Sequence, residues 1–480
     1  MKKILLFISL FMALFANAQP PEKFYTKFGG AGIDIGYGVK QTLDRNYIVV
    51  GSTSSYGAGN TDVYLVKVDS MGWPRWEKTF GGFGNDVGRS VIQLADSSFV
   101  IAGFTNSFGA GGYDAYLIHA DKAGSLIWQK TFGGLDWDFG YDLVQATDGN
   151  IVICGTTSSF GSGNMDGFMC KFDLSGTLIW QKFFGGAEDD ELKSIIKTND
   201  GKLATVGYTK SKGDLNGDCS FYKIDLNGDT LFTKSFGGPG VDYLTDLIQK
   251  PYNDYIVVGA KTFSTNAYTN SVYFNYSQSG TFNWDNNYNY SNTNENLIAL
   301  TNSQTGDKTC YLRNIPVTSF KMQGSVFISK NSNISPYLSN AFGGVEDEMM
   351  FGLDKTLDGG YVSIGTTNSF NSINGDVFLI KQDSLIINYT SVVGLQKNKS
   401  NNTHHLIYAY DDNLFISMPV KNSNLIELYD LNGALLLKSK TTTDKTEINL
   451  ALFPKGVYVL RIYTDDGDIF TKKIVSYKSN

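Results

Sequence analysis

The residues best placed to do chemistry in this 480-residue chain are aspartates that recur at a fixed interval. Asp34, Asp86, Asp138, Asp190 and Asp242 make one series, and Asp62, Asp114, Asp166, Asp218 and Asp376 a second. Carboxylates gathered on one surface attract cations and polar ligands, and two at the right separation can hydrolyse a glycosidic bond. Acids present in every repeat single out no such pair. Aspartate also accepts backbone N–H groups in Gly-rich turns, and the Phe-Gly-Gly segments before the first series favour that role. The functional expectation is an acidic rim, with Asp86 and Asp138 as candidate binding residues; the structural one is turn closure.

Other signals of catalysis are poor, and no catalytic residue is expected. Of the three histidines, His119 stands where other repeats have Lys67, Lys171 and Lys223, and His404 and His405 border the C-terminal region. There is no His-x-x-x-His pair, Gly-x-Ser-x-Gly elbow or phosphate loop. Asp214-Leu215-Asn216-Gly217-Asp218 looks like the start of a calcium loop, but Cys219 stands where the EF-hand needs glycine. No cofactor or metal is therefore expected, calcium being the alternative. The last candidate is the irregular stretch from Asn266 to Ser319, where Trp284, Tyr288 and Tyr290 lie among asparagines. Aromatic faces suit sugar rings and amides suit hydroxyls, so these three are candidate carbohydrate contacts. Drift of a repeat that kept its shape explains them equally simply.

The elements that must position these residues follow from the repeat. Phe28-Gly29-Gly30, Phe80-Gly81-Gly82, Phe132-Gly133-Gly134, Phe184-Gly185-Gly186 and Phe236-Gly237-Gly238 stand 52 residues apart. The next step lands on Tyr288 without its glycines, and the last reaches Phe342-Gly343-Gly344. In the second copy, Ser90–Leu94, Phe99–Gly103, Ala115–Ala120 and Leu126–Phe132 read as four short strands joined by Gly- and Asp-rich turns. No window holds a helical period. Four strands in about 50 residues is the size of a propeller blade, and such a sheet must stack on its neighbours. Trp76, Trp128, Trp180, Phe232 and Trp284 share one position in the fourth strand and are expected to fill space within and between blades.

The seventh copy lacks its fourth strand, and Phe24–Phe28 has that pattern with no blade of its own. The expected fold over residues 19–388 is therefore all-β: a closed seven-bladed β-propeller whose N-terminal strand completes the last blade. Blades of equal length carry no insertion from which to build a dedicated pocket. Residues 22–384 resemble the bacterial seven-bladed propeller repeats of exported and cell-surface proteins. The resemblance rests on Phe-Gly-Gly-x3-Asp-x-Gly, then Asp-Gly, then Gly-x-Thr-x-Ser-Phe-Gly, and it implies architecture rather than activity.

Lys2 and Lys3, the apolar run Ile4–Phe15 and Ala16-Asn17-Ala18 read as a signal peptide over residues 1–18, cut between Ala18 and Gln19. The run is short for a transmembrane helix, and none is expected in the mature chain. A net charge of -7 without a Lys/Arg run argues against nucleic acid. Cys154 and Cys310 occupy a position held elsewhere by Val50, Ala102, Val206 and Val258, and Cys170 replaces Val66 or Ile118. They read as core residues, with a Cys154–Cys170 bridge across one hairpin left open.

Residues 389–403 are polar and read as a linker. Residues 404–480 hold alternating strands at Leu425–Asp430, Gly456–Ile462 and Thr471–Val475, with a turn at Asn432-Gly433, and predict a small β-sandwich. Leu428-Tyr429-Asp430-Leu431-Asn432-Gly433, Ile448-Asn449-Leu450, Gly456-Val457-Tyr458 and Lys472-Lys473-Ile474-Val475 resemble the type A C-terminal sorting domain of the type IX secretion system of Bacteroidota. That resemblance implies contact with the secretion machinery and a secreted or surface location. The functional expectation is a non-catalytic binding or structural module, with carbohydrate or another surface protein as partner. The alternative is a polysaccharide-acting enzyme on the loop-rich face.

Overall fold

Within each repeat the second and third strands are mostly apolar, as in Tyr47–Thr53 and Asp62–Val68, and every residue of those two strands is buried. A strand buried on both faces must lie between two other layers. The fourth strand, as in Leu126–Phe132, is largely exposed and marks the outer edge. The computed structural model describes residues 23–384 except 215, 263–268, 289–295, 319–320, 331–332, 345, 371 and 373. In the tail it describes 406–476 except 411–412, 418–422, 431–433, 444, 455 and 465–468. The signal peptide with Ala18 and Gln19, the linker 389–403, Leu215 and Tyr290 lie outside the described residues.

The chain divides into two compact units, Met1–Asn388 and Tyr389–Asn480. The first holds seven four-stranded antiparallel sheets. Blade 1 starts at Asp34–Gln41, blade 2 at Asp86–Gln93, blade 3 at Asp138–Gln145 and blade 4 at Asp190–Lys197. Blades 5, 6 and 7 start at Asp242–Gln249, Asn296–Asn302 and Glu348–Lys355. Six blades are simple meanders, whereas the seventh takes its outer strand from Phe24–Phe28, paired with Asp376–Gln382. The first strands of neighbouring blades touch one another all the way round, blade 7 against blade 1 included. The ring is therefore closed and its inner wall is made of first strands.

The first strand of blade 2 begins at Asp86, four residues before the expected Ser90, because the backbone runs extended through a β-bulge between Gly88 and Ser90. All seven first strands carry this bulge. Core clusters span blade junctions: Val362, Ile364, Val377 and Leu379 of blade 7 pack with Val39, Val49 and Val66 of blade 1. The outer-strand aromatics fill these junctions. Trp128 and Trp180 donate their indole N–H groups to the carbonyls of Leu174 and Leu226, one blade on, at 2.9 and 3.0 Å. A Cβ on Gly124 would stand 2.7 Å from Trp76, and one on Gly72 would stand 2.7 Å from Phe24. Phe24 thus plays for the closing junction the part that tryptophan plays elsewhere.

The open question of a Cys154–Cys170 bridge resolves against it. Cys154 pairs with Met169 and Cys170 with Ile153, which puts the two thiols on opposite faces of the sheet. All four cysteines are free and buried. The second unit has a three-stranded sheet and a four-stranded sheet. Leu414, Ile416 and Ile448 of the first share a core with Ile426, Leu428, Leu460 and Ile462 of the second, a small sandwich. Among the described residues no helix is long and apolar enough to cross a membrane.

Candidate functional site

The two aspartate series meet at the blade junctions, on the face where each blade hands over to the next. A Cβ on Gly81 would lie 2.3 Å from Asp62 Oδ1 and 2.4 Å from Asp86 Oδ2; Gly133 is wedged in the same way between Asp114 and Asp138. All ten carboxylates are buried. Asp86 Oδ2 accepts the Gly82 N–H at 2.9 Å and the Ser107 hydroxyl at 2.6 Å, and Asp138 Oδ2 accepts Gly134 N–H at 2.8 Å and Ser159 at 2.7 Å. Thr157 donates to the other oxygen of Asp138. The Gly-x-Thr-x-Ser segment is thus the hydrogen-bonding complement of the aspartate. Burial raises the carboxyls of Asp62 and Asp114, and the facing Asp86 and Asp138 add to the rise. The carboxylates point inward, so the series form a buried lattice and not a solvent-facing rim, and Asp86 and Asp138 present no oxygen to solvent.

The side chains that do face the ring's interior come from the bulges, where one extra residue re-aims a side chain. They are Tyr37, Arg89, Tyr141 and Lys193 in blades 1 to 4, Thr245 and Ile298 in blades 5 and 6, and Phe351 in blade 7. Phe351, Tyr37, Arg89, Tyr141 and Lys193 touch in series around the wall. The rings of Tyr37 and Phe351 are 5.0 Å apart, and the Arg89 guanidinium lies 4.3 Å from the Tyr37 ring and 5.9 Å from Tyr141. The Lys193 ammonium stands 4.2 Å from the centre of the Tyr141 ring and is paired with Glu191. The result is an aromatic and cationic ladder on one arc of the wall.

Next to the bulges is a layer of acids and hydroxyls. Asp142 accepts from Ser90 at 2.7 Å, Ser194 at 3.0 Å and the Ile195 N–H at 2.9 Å. Ser194 also donates to Asp246 at 2.8 Å, and the Leu300 N–H reaches Asp246 at 2.9 Å. Burial, with Asp142 adding to it, pushes the Asp246 carboxyl up to about 6. Lys40 stands 3.5 Å from Asp354 and is 43% exposed; Asp354, then Asp142 and Asp246, hold its ammonium above the ordinary range.

The other expected contacts are placed differently. Trp284 is half-buried, edge-on to Tyr273 at 6.2 Å and packed on the core between blades 5 and 6. Tyr288 ends the outer strand of blade 5, its backbone opposite Ser271. Asp214 Oδ1 accepts the Asn216 N–H at 2.8 Å and closes a turn. One exposed aromatic, Trp137, lies instead beside the ladder. Trp137 is 58% exposed, its ring 6.2 Å from Phe139, which stacks at 10° on Tyr141 at 6.3 Å. Tyr113 and Phe104 buttress Phe139 at 5.5 and 5.0 Å.

Sequence reasoning missed the ladder because it weighed what recurs. The residue after the first-strand Asp-x-Gly is Tyr37, Arg89 or Tyr141, changing in charge and shape while the aspartate and glycine before it stay constant. In a closed repeat, that contrast is the signal of a wall position under separate demands.

Residues 410–477 match the model of the secretion system C-terminal sorting domain. The protein is accordingly directed by the type IX secretion route to the cell surface or the extracellular space. A curated relative, the regulatory protein FlaEY of Caulobacter vibrioides, is 27% identical over 261 residues, 47% of this chain and 26% of its own. The chain thus spans about a quarter of that relative's length. Among solved structures, an extracellular domain of B. thetaiotaomicron ascribed to a one component system is 12% identical, with 94% of this chain and 59% of that one covered at a TM-score of 0.41. PorZ, a surface component of the type-IX secretion system of Porphyromonas gingivalis, is 13% identical over 90% of this chain and 69% of its own, at 0.41. A puromycin hydrolase is 11% identical over 84% and 62%, at 0.49.

Proposed function

We propose that the chain is a non-catalytic binding module at the cell surface, delivered by its C-terminal sorting domain, and that its ligand is held at the inner wall of the propeller. The observation that carries this reading is the ladder from Phe351 through Tyr37, Arg89 and Tyr141 to Lys193. Blades 1 to 4 keep their length and their two buried aspartates, and among the positions that vary between them this set is the one whose side chains touch each other around the inner wall. A purely structural ring has no use for such variation at positions that touch each other. Binding is favoured over hydrolysis because the recurrent acids are buried and committed to backbone N–H groups. Carbohydrate or another surface protein is the partner class that such an aromatic, charged wall serves.

The full chain, screened against glycan and peptide arrays, tests the reading, with reducing-sugar release measured on every glycan that binds. Tyr141→Ala is expected to lose the ligand at an unchanged unfolding temperature. Binding that survives Tyr141→Ala, or turnover of a bound glycan, sinks it.

A further inference from the structure

Arg89 differs from the other cations of the inner wall. Lys193 is paired with Glu191, and Lys40 faces Asp354. Among the described residues the Arg89 guanidinium meets only the rings of Tyr37 and Tyr141 and no hydrogen-bond acceptor. Contact with ring faces uses none of the guanidinium N–H groups as hydrogen-bond donors and leaves the fork that grips a carboxylate with two parallel bonds. A half-buried cation with open donors therefore stands beside two aromatic rings.

What adjoins it narrows the ligand. From Tyr141 the aromatic run leads outward through Phe139 to Trp137, with Leu135 and Phe83 exposed at the neighbouring loop tips at 83% and 90%. On the other side stand Asp142 and Asp246, which repel a ligand carrying several negative charges past Arg89. The fitting ligand offers one carboxylate to the guanidinium while its remainder lies over the exposed Trp137 ring outside. We propose that Arg89 is a carboxylate receptor, that the exposed Trp137, backed by Phe139, is the platform for a sugar ring, and that the ligand is a uronic-acid-bearing oligosaccharide. This rests on the inner-wall reading above and narrows it to a chemical class. An acidic peptide shares the carboxylate but has little use for an exposed ring face.

An acid trimer made of one terminal uronic acid on two neutral hexoses and its carboxyl-reduced counterpart, titrated into the full chain and followed by calorimetry and tryptophan fluorescence, provide the test. The acid trimer is expected to bind at least roughly tenfold more tightly than the reduced one, with binding that weakens as salt rises. Arg89→Gln should weaken it about tenfold to a hundredfold, and Trp137→Ala roughly tenfold. Arg89→Lys, which keeps the charge on the tyrosines and loses the fork, should fall between and confirms that the fold is intact. Equal affinity for both trimers, an unaffected Arg89→Gln, or tighter Arg89-dependent binding of a glutamate-rich peptide overturns the proposal. If an array ligand binds in a Tyr141-dependent manner and the acid trimer does not, the uronate inference falls and the inner-wall reading stands. If nothing binds in a Tyr141-dependent manner, both fall.

Discussion

The Lys27 ammonium donates to the carboxylate of Asp376, although the two residues lie 349 positions apart in the chain. Lys27 belongs to the N-terminal strand and Asp376 opens the third strand of blade 7. The same strand seats Phe24 against Gly72 and Tyr47 of blade 1, with the Phe24 and Tyr47 rings 5.6 Å apart. One five-residue strand therefore seals a blade and a blade junction at once.

Removing residues 23–28 should lower the unfolding midpoint and leave the Asp376–Gln382 edge open to pairing with another chain. Size-exclusion chromatography is expected to show concentration-dependent association that the intact chain lacks. Phe24→Ala should cost about 3 kcal/mol. Lys27→Ala, a partly exposed pair, should cost under about 1 kcal/mol. Equal effects of the two substitutions would contradict a closure held mainly by packing.

Gly81→Ala and Gly149→Ala separate close approach from backbone strain. A Cβ at Gly81 meets two buried carboxylates within 2.4 Å, whereas at Gly149 it meets nothing within 4 Å but the φ is +86°. Gly149→Ala should cost about 1 kcal/mol, the left-handed penalty alone. Gly81→Ala should cost at least about 3 kcal/mol, since both aspartates must lose their backbone partners. Chemical denaturation midpoints of the two variants give the comparison directly.

Lys250 reports on pH. It is fully buried, donates to Thr309 Oγ1 at 2.7 Å, and burial pushes its ammonium down to about 8 from 10.5. Between pH 8 and 10.5 the unfolded chain binds a proton that the folded chain has released, so this group makes stability rise with pH across that window. Lys250→Met should stabilise the protein by about 1 kcal/mol at pH 7. That gain should vanish above pH 10.5, as measured by denaturation at several pH values.

Deleting residues 404–480, which contain the matched sorting domain, should leave the propeller folded and hold it in the periplasm. Fractionation of cells expressing the truncated chain shows this. Truncated protein in the medium at the level of the full chain would remove the tail from the export route.

Much was legible in the sequence. The 52-residue step, the turn glycines and the β-branched runs are local or periodic properties, and they sufficed for blade number, strand order and the closing role of Phe24–Phe28. The tail was legible for the same reason, since its strand alternation and its sorting motifs lie in contiguous residues. Whether a recurrent aspartate faces water or protein is not a local property. Asp86 is buried because the third strand of blade 1 brings Asp62 to the other side of Gly81, and the two carboxylates face each other only once blade 2 stacks on blade 1. The inner wall is the extreme case. Tyr37, Arg89, Tyr141 and Lys193 stand 52 residues apart in the chain and come within contact because the ring closes and a bulge turns each one inward. Periodicity in one dimension determined the blades; closure in three decided which side chains became neighbours, because contact between equivalent positions depends on the radius of the ring and not on the spacing along the chain.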